Sequence, residues 1–375
     1  MLPGYPPKAS GEEERYLRKL GHSPEVITLI SGGLRNEKYK FNDFLDEISI
    51  RSLSNEFKII NWFDFTLPFL TFFSGYHIAG ATFAPLIMKR KEYDVIVSHG
   101  SLTSMTGYSL WKTKRIPYVS LHWDPLSYIL QKVYNKKFSK PVISGLSKIV
   151  TKMDRMLVEN SLVTATGSKE HSKFLEELTG QKVETLFPGC FPLKQIPKKR
   201  GSYLLAIDRW DPGNNPQMLL DVLSRLDCKP ELIVAGFWWS IELQEKFIEK
   251  CKKMGLTKQV KVVGPVSEKK LNELYSNARA LLHPIEETSI SMPAMEAACH
   301  GCPLIMPKGT PLFNNGINGF FPPENDLDEY SKYVERFVHD ERLAWKMGQE
   351  GWKVVLENTW EHHAGKLEKM ILNNL

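Results

Sequence analysis

The sequence predicts an α/β protein built from two doubly wound parallel sheets facing each other across a cleft. Three observations lead there. Ten short apolar runs alternate with amphipathic stretches along most of the chain, the pattern of strands whose faces are covered by helices. The 375 residues are many for one core and suit two domains. Midway, residues 188–200 form a Pro-, Gly- and Lys-rich stretch without helical or strand periodicity, which reads as a linker. Ligands of open sheets of this kind bind beyond the carboxyl ends of the strands.

Element by element, strands are expected at 26–30, 94–98, 118–122, 163–166 and 184–186, then at 203–207, 231–235, 260–263, 280–282 and 304–306. Helices are expected at 12–20, 217–226, 241–254, 268–277, 293–300 and 328–337. The first domain accordingly covers 1–195 and the second starts at 196. Residues 66–88 are unusually apolar and run into Lys89-Arg90-Lys91, but Pro68, Gly75, Gly80 and Pro85 interrupt them. A buried helix is the expectation there, with a lip touching lipid as the alternative, and not a spanning segment.

Composition narrows the class. Apolar residues make up 42% and charged residues 25%, which excludes extensive disorder. Five scattered cysteines, an odd number, point to a reduced, cytoplasmic setting. Cys299 and Cys302 have CxxC spacing, yet no second pair of ligands stands at metal-site spacing, so they read as small residues packing a helix end. No stretch reaches the ~18 uninterrupted apolar residues of a spanning helix, and residues 1–7 show no basic-then-apolar signal region.

Charge is uneven: residues 1–200 hold 29 basic and 19 acidic side chains, residues 201–375 hold 20 and 24. No acid lies between Asp124 and Asp154, where Lys132, Lys136, Lys137, Lys140, Lys148 and Lys152 are interleaved with apolar residues. Residues 131–155 therefore suit contact with anionic lipid or a phosphorylated acceptor, a solvated helix face being the alternative. The acidic second half leaves no extended footprint for nucleic acid.

The most site-like segment is 286–303. Pro293 suits a first helical turn and Gly301 a position just past the helix end. The N–H groups of Ser289, Ile290 and Ser291 and of the first turn would then face an anion such as a diphosphate. Glu296, one turn in, can accept two hydroxyls of a ribose diol; a helix-stabilising role is equally open to it. After the strand at 203–207, Asp208-Arg209-Trp210-Asp211-Pro212 forms a strand–turn–helix junction where Arg209 would hold a phosphate with two N–H donors, or pair with Asp208 or Asp211. In the first domain His99 and His122 both end strands, where a histidine can meet a sugar hydroxyl; one of the two has room to be a satisfied core residue. No GxSxG, HExxH, P-loop or strand–helix GxGxxG is present, which removes the hydrolase, zinc-enzyme, kinase and dinucleotide-oxidoreductase readings.

Together these residues resemble the retaining, nucleotide-sugar-dependent glycosyltransferases of family four (group 1), which have the two-Rossmann GT-B fold. Pro3-Gly4-Tyr5-Pro6-Pro7 and Gly21-His22-Ser23-Pro24-Glu25-Val26 look like the family's amino-terminal loop and its first Gly-His block. Residues 203–215 match its Gly-Arg-Leu turn. Val262-Val263-Gly264-Pro265 with Leu274-Tyr275, then Pro303-Leu304-Ile305 with Asn315-Gly316-Ile317-Asn318-Gly319-Phe320, resemble later blocks in the same order. Trp360-Glu361 looks like the start of the final helix, so the resemblance implies a second domain over 196–355 and a helix within 356–375 that returns to the first domain.

The resemblance implies a metal-independent hexosyltransferase that takes a nucleotide diphosphate sugar as donor, needs no other cofactor, and adds the sugar with retention to a lipid-linked or cell-envelope glycan. It would be cytoplasmic and membrane-peripheral, touching anionic lipid through residues 66–91 and 131–155. Arg209 aligns with the diphosphate-binding arginine, Glu296 with the ribose-binding glutamate and His122 with the residue lining the donor sugar, and the backbone of Ser289, Ile290 and Ser291 would receive the phosphate. Two positions depart. The family's lysine five residues after the arginine is Asn214, and the first glutamate, expected eight residues before Glu296, is Thr288, with Glu287 beside it as the substitute in the catalytic set. These departures keep open a non-catalytic sugar-nucleotide-binding protein or partner subunit; a same-fold epimerase is disfavoured because no acid/base cluster is evident. The family's strand before the Pro-Gly-Tyr loop is also absent and the helix after it is shortened.

Overall fold

The computed structural model describes residues 8–25, 27–31, 58–62, 66–67, 70–89, 93–132, 140–210, 216–284, 290–307 and 311–375. The chain divides into two compact units, one of residues 1–189 with 360–375, the other of residues 190–359.

In the first unit the described elements are α1 (Lys8–Lys19), β1 (Ile27–Ser31), β2 (Lys58–Trp62), β3 (Thr66–Leu67), β4 (Leu70–Ser74), α2 (Gly75–Ile87), β5 (Ile96–His99), α3 (Ser104–Lys114), β6 (Tyr118–His122), α4 (Leu126–Lys132), α5 (Lys140–Glu159), β7 (Val163–Thr166), α6 (Lys169–Thr179) and β8 (Val183–Thr185). Strands β5-β6-β7-β8 form a parallel sheet in that order, and β1 pairs with β2, also parallel. Every side chain of β6 is buried, as a central parallel strand requires.

Residues 66–88 do not form one buried helix. Thr66–Leu67 and Leu70–Ser74 pair antiparallel, and the helix starts only at Gly75. The threonines and phenylalanines of 66–74 favour a pleated surface, and Pro68 between the two strands cannot donate to a ladder. Pro85 lies inside α2, where it removes the N–H that would bond Ala81. The Ser109 hydroxyl of α3 donates to the Ala81 carbonyl instead, at 2.6 Å. Among the described residues no helix is long and apolar enough to cross a membrane.

The second unit holds β9 (Leu204–Trp210), α7 (Gln217–Ser224), β10 (Leu232–Trp238), α8 (Ile241–Lys253), β11 (Val260–Gly264), α9 (Glu268–Asn277), β12 (Ala280–Leu282), α10 (Met292–Cys299), β13 (Leu304–Ile305), β14 (Gly319–Phe320), α11 (Leu327–His339) and α12 (Glu341–Leu356). Its sheet is parallel with the order β11-β10-β9-β12-β13-β14. Counted from its first strand this is 3-2-1-4-5-6, the dinucleotide-fold order, whose direction reverses between β9 and β12. Leu204, Ala206, Leu232, Val234, Leu282 and Phe247 form the centre of its core.

The final helix, α13 (Trp360–Leu372), belongs to the first unit, where Leu367 and Ile371 pack on Val119, Leu121 and Leu186. All ten expected strands are present. Two run on further, because Asp208-Arg209-Trp210 keeps pairing with Gly236-Phe237-Trp238 and buries the Trp210–Trp238 ring pair.

The break between units falls at Gly189–Cys190 and Thr359–Trp360, not at 195/196 and 355/356, because the chain after Gly189 is already fastened to the second unit. Cys190 N donates to Asn358 O, Leu193 N to Cys299 O, and the indoles of Trp352 and Trp345 to the carbonyls of Leu193 and Pro197. A stretch without periodicity is here a well-bonded strap.

Arg200 ends the strap. Its guanidinium is buried and donates to four carbonyls: Ala278 (2.6 Å), Tyr275 (2.6 Å), His300 (3.0 Å) and Gly301 (2.7 Å). They lie at or just past the carboxyl ends of α9 and α10, where the helix dipole is negative. Burial lowers its basicity, and the carbonyl cage supports the charge. Arg200→Met is expected to destabilise the second unit by at least about 3 kcal/mol, since it strands several buried carbonyls; chemical unfolding monitored by tryptophan fluorescence checks this.

Candidate functional site

In the second unit the carboxyl end of β9 extends past β12, which pairs only with Leu204 and Leu205. Asp208 and Arg209 therefore lie where the sheet order reverses, the place open α/β sheets use for ligands. Gly236 makes the approach of β10 possible: its φ is +110°, and a Cβ there would stand 1.9 Å from the Asp208 carbonyl oxygen. The Arg209 side chain is exposed and its backbone N–H donates to the Asp208 carboxylate. Arg209 is thus a strand residue, one step before the turn in which it was expected. Across the reversal, His283 follows β12 directly, fully buried, with Nε2 3.6 Å from Asp208 Oδ2 and 3.5 Å from Ser291 Oγ.

Helix α10 begins one residue earlier than expected, with Ser291 as its N-cap accepting from Ala294 N at 3.3 Å and Pro293 in the first turn. Gly301 closes it at φ +65°. Glu296 is half-buried and oriented by α9: the Tyr275 hydroxyl donates to Oε2 at 3.2 Å. His300 stacks on the Tyr275 ring, centroids 5.6 Å apart, and its Nδ1 donates to the Glu296 carbonyl at 2.8 Å. Burial, then the adjacent Glu296 charge, push the Tyr275 phenol far above its usual range, so it stays a donor. Tyr275 was noticed only as part of a block; the contact that makes it matter bridges two helices and has no local signature. Cys299 and Cys302 are buried and pack this helix end, as their size suggested.

In the first unit His99 and His122 end β5 and β6 as expected, and their surroundings separate them. Glu13 on α1 accepts from His99 Nε2 at 2.9 Å and from His363 Nε2 at 2.7 Å. The other His363 nitrogen is 2.6 Å from the Phe187 carbonyl. His363 is thus held on both sides, by α1 and by the chain after β8. Trp123 Nε1 faces His99 Nδ1 at 3.4 Å, which completes the neighbours of His99. His99 is the satisfied core residue.

His122 is different. It is fully buried, Nδ1 is 2.8 Å from Ser101 Oγ, and Nε2 has no hydrogen-bond partner among the described residues. Burial lowers its basicity, opposed by the charge of Asp154, so the ring is neutral. His171, at the start of α6, is built alike: Nδ1 donates to the Trp123 carbonyl at 3.2 Å and Nε2 is buried without a partner among the described residues. Sequence reading passed over His171 because it follows no strand directly.

Glu287, Asn214, Thr288 and Ser289 lie outside the described residues, and Ile290 and Ser291 are buried. Arg209, Ile290, Ser291 and Glu296 all belong to the second unit and His122 to the first.

Residues 193–354 match the family described as Glycosyl transferases group 1. Over those residues the chain is similar to a group 1 glycosyl transferase domain. A D-inositol 3-phosphate glycosyltransferase of Kribbella flavida is 22% identical over 330 residues, covering 77% of this chain and 76% of that protein. Among solved structures, Anabaena Alr3699/HepE in complex with UDP and glucose superposes with a TM-score of 0.74 at 15% identity, covering 100% of this chain and 98% of that one. A glycosyltransferase from Rickettsia africae gives a TM-score of 0.67 at 15% identity, over 97% and 93% of the two chains. The fold is therefore GT-B, with a parallel sheet in each of its two domains, and the residues that match the family contain the β9–β12 reversal, Tyr275 and Glu296.

The Glu13 cluster has a measurable consequence. Burial opposes the Glu13 charge, but His99 and His363 override it and hold the carboxyl at about 2, below its ordinary 4.5. A folded value below the unfolded one means stability that is complete above pH 4.5 and lost as pH falls toward 2. Urea unfolding of the first unit between pH 5 and 2.5 is expected to show that loss, up to roughly 3 kcal/mol, and Glu13→Gln to flatten it.

Proposed function

We propose that this protein is a retaining hexosyltransferase that takes a nucleoside diphosphate sugar as donor and a lipid-linked or cell-envelope glycan as acceptor. The observation that carries the reading is the Glu296 carboxylate, oriented by Tyr275 one turn inside α10, next to the strand reversal of the group 1 domain. In this reading Glu296 accepts the ribose hydroxyls, and Arg209 with the N–H groups of residues 289–291 holds the diphosphate. His122 lines the transferred sugar, and Glu287 stands in for the family's first glutamate. Positioning and charge stabilisation of the leaving diphosphate do the catalytic work, without a metal or other cofactor.

The bound UDP of the Anabaena structure makes UDP-sugars the first donors to try. A thermal-shift and donor-consumption screen of UDP-, GDP- and ADP-sugars, repeated with EDTA, is expected to find one that protects the protein and is consumed regardless of chelator. Glu296→Ala and Arg209→Ala should each weaken that donor by about tenfold or more, the size of one or two charge-assisted hydrogen bonds. A screen in which no donor binds would sink the reading.

A second reading, favoured by Asn214 and Thr288, is a GT-B subunit that binds sugar nucleotide without turning it over. Turnover that rises from near zero in Asn214→Lys supports this one; robust wild-type turnover removes it.

We place the enzyme on the cytoplasmic face of a membrane. The outer face of α5 supports this: Lys148, Ile149, Lys152 and Arg155 are exposed, Ile149 to 68%, while Ile143, Val150 and Leu157 are buried. Leu86 and Lys89 in the 66–91 segment are exposed as well. Residues 90–92 and 133–139 of the two segments lie outside the described residues. Co-sedimentation with phosphatidylglycerol vesicles but not phosphatidylcholine vesicles, reduced in Lys148→Glu with Lys152→Glu, is the expected result; equal binding to both lipids contradicts it.

A further inference from the structure

We propose that Asp154 is the positioning residue of His122: it keeps the imidazole proton on Nδ1, so that Nε2 meets substrate as an acceptor and takes a sugar hydroxyl, not a phosphate oxygen. This rests on the reading that His122 lines a sugar subsite.

His122 and Asp154 are both completely buried. The carboxylate is pinned at the start of α4, where Oδ2 accepts from Ser127 N at 2.8 Å and from Ser127 Oγ at 2.6 Å. Oδ1 is left 3.9 Å from His122 Nδ1, with no hydrogen-bond partner among the described residues. Ser101 Oγ is 2.8 Å from the same Nδ1 and accepts from Leu126 N at 3.3 Å. The Ser101 hydroxyl by itself is indifferent: it can donate to a bare Nδ1, or accept from Nδ1–H through its second lone pair.

The carboxylate removes the indifference. A negative charge that close, in a site shielded from water, favours an N–H on the near nitrogen and disfavours a lone pair there. Ser101 then accepts from both Leu126 and His122. Nε2 keeps the lone pair, buried, where an unsatisfied polar atom costs about 1–3 kcal/mol. A hydroxyl proton satisfies that lone pair. A phosphate oxygen, an acceptor itself, does not.

The test uses the full-length chain with 15N-labelled histidine and reads ring nitrogen shifts by long-range correlation, the His122 signals being assigned by their absence in His122→Gln. The wild type is expected to show a protonated Nδ1 and a bare Nε2. In Asp154→Asn the introduced amide can still accept from Ser127 through oxygen while turning its N–H group toward Nδ1, so the proton should move to Nε2. An unchanged tautomer in Asp154→Asn overturns the proposal. Ser101→Ala gives a second route should that variant fold poorly: the carboxylate alone should keep the proton on Nδ1, and a move to Nε2 would make Ser101 the determinant and sink the idea.

Kinetics identify the hydroxyl. With a donor from the screen, Asp154→Asn should lower kcat by about tenfold or more with donor KM changed less than about threefold, the pattern of a wrong tautomer in an intact site. A loss seen equally in donor hydrolysis without acceptor assigns the hydroxyl to the transferred sugar; a loss confined to transfer assigns it to the acceptor; a loss in neither overturns the proposal. Turnover unaffected by His122→Gln would defeat the sugar-subsite reading itself while leaving the ring spectra to judge Asp154.

Discussion

The second unit is organised around one buried cation. The Arg200 guanidinium has no carboxylate beside it among its hydrogen-bond partners; its charge is met by carbonyls at the ends of α9 and α10. Two helix termini must therefore converge on it, and their positions cease to be independent. Gly348 of α12 tightens the same corner, where a Cβ would stand 1.8 Å from the Gly301 oxygen. Glu296 lies one turn before this corner, and Tyr275, whose carbonyl Arg200 also grips, orients its carboxylate. The Glu296 carboxylate is thus placed from behind, by Tyr275 and the Arg200 corner.

The buried histidines of the first unit fall into two kinds, set apart by how their ring nitrogens are met. His99 and His363 have their nitrogens matched by Glu13, Trp123 and Phe187, and what they supply is cohesion between α1, the sheet and α13. His122 and His171 each have one matched nitrogen and one that is buried without a partner among the described residues. An orphaned polar atom is costly in a protein interior, so natural structures retain few of them. Both histidines lie toward the carboxyl end of the same sheet, and the sequence position of His171 gives no hint of that likeness.

Much of this was legible in the chain. Strands were found because buried parallel strands are short apolar runs, and α10 because Pro293 and Gly301 obey the chemistry of helix ends. Asp208-Arg209 misled, since charged residues after an apolar run look like a strand end; the Trp210–Trp238 pair, invisible locally, prolongs the ladder. The apolar segment 66–88 misled for the opposite reason, hydrophobicity alone being silent on strand against helix. Tyr275, Arg200, Glu13 and Asp154 act through partners brought near only by the fold, and the strap at 190–200 gets its order from hydrogen bonds to a helix and a loop that come long after it in sequence.

The placing of α13 bears on how the chain is made. The second unit is an insertion, entered at Gly189 and left at Trp360, two residues in close contact: a Cβ on Gly189 would meet the Trp360 backbone at 2.4 Å. A ribosome finishes all strands of the second unit before it supplies the helix that closes the first. The inserted unit, with its Arg200 corner, has what it needs to fold early, while the cluster of Val119, Leu121 and Leu186 stays incomplete until Leu367 and Ile371 emerge. Order of synthesis and order of completion are therefore reversed, and the amino-terminal half is the part that depends on the last turns of the chain.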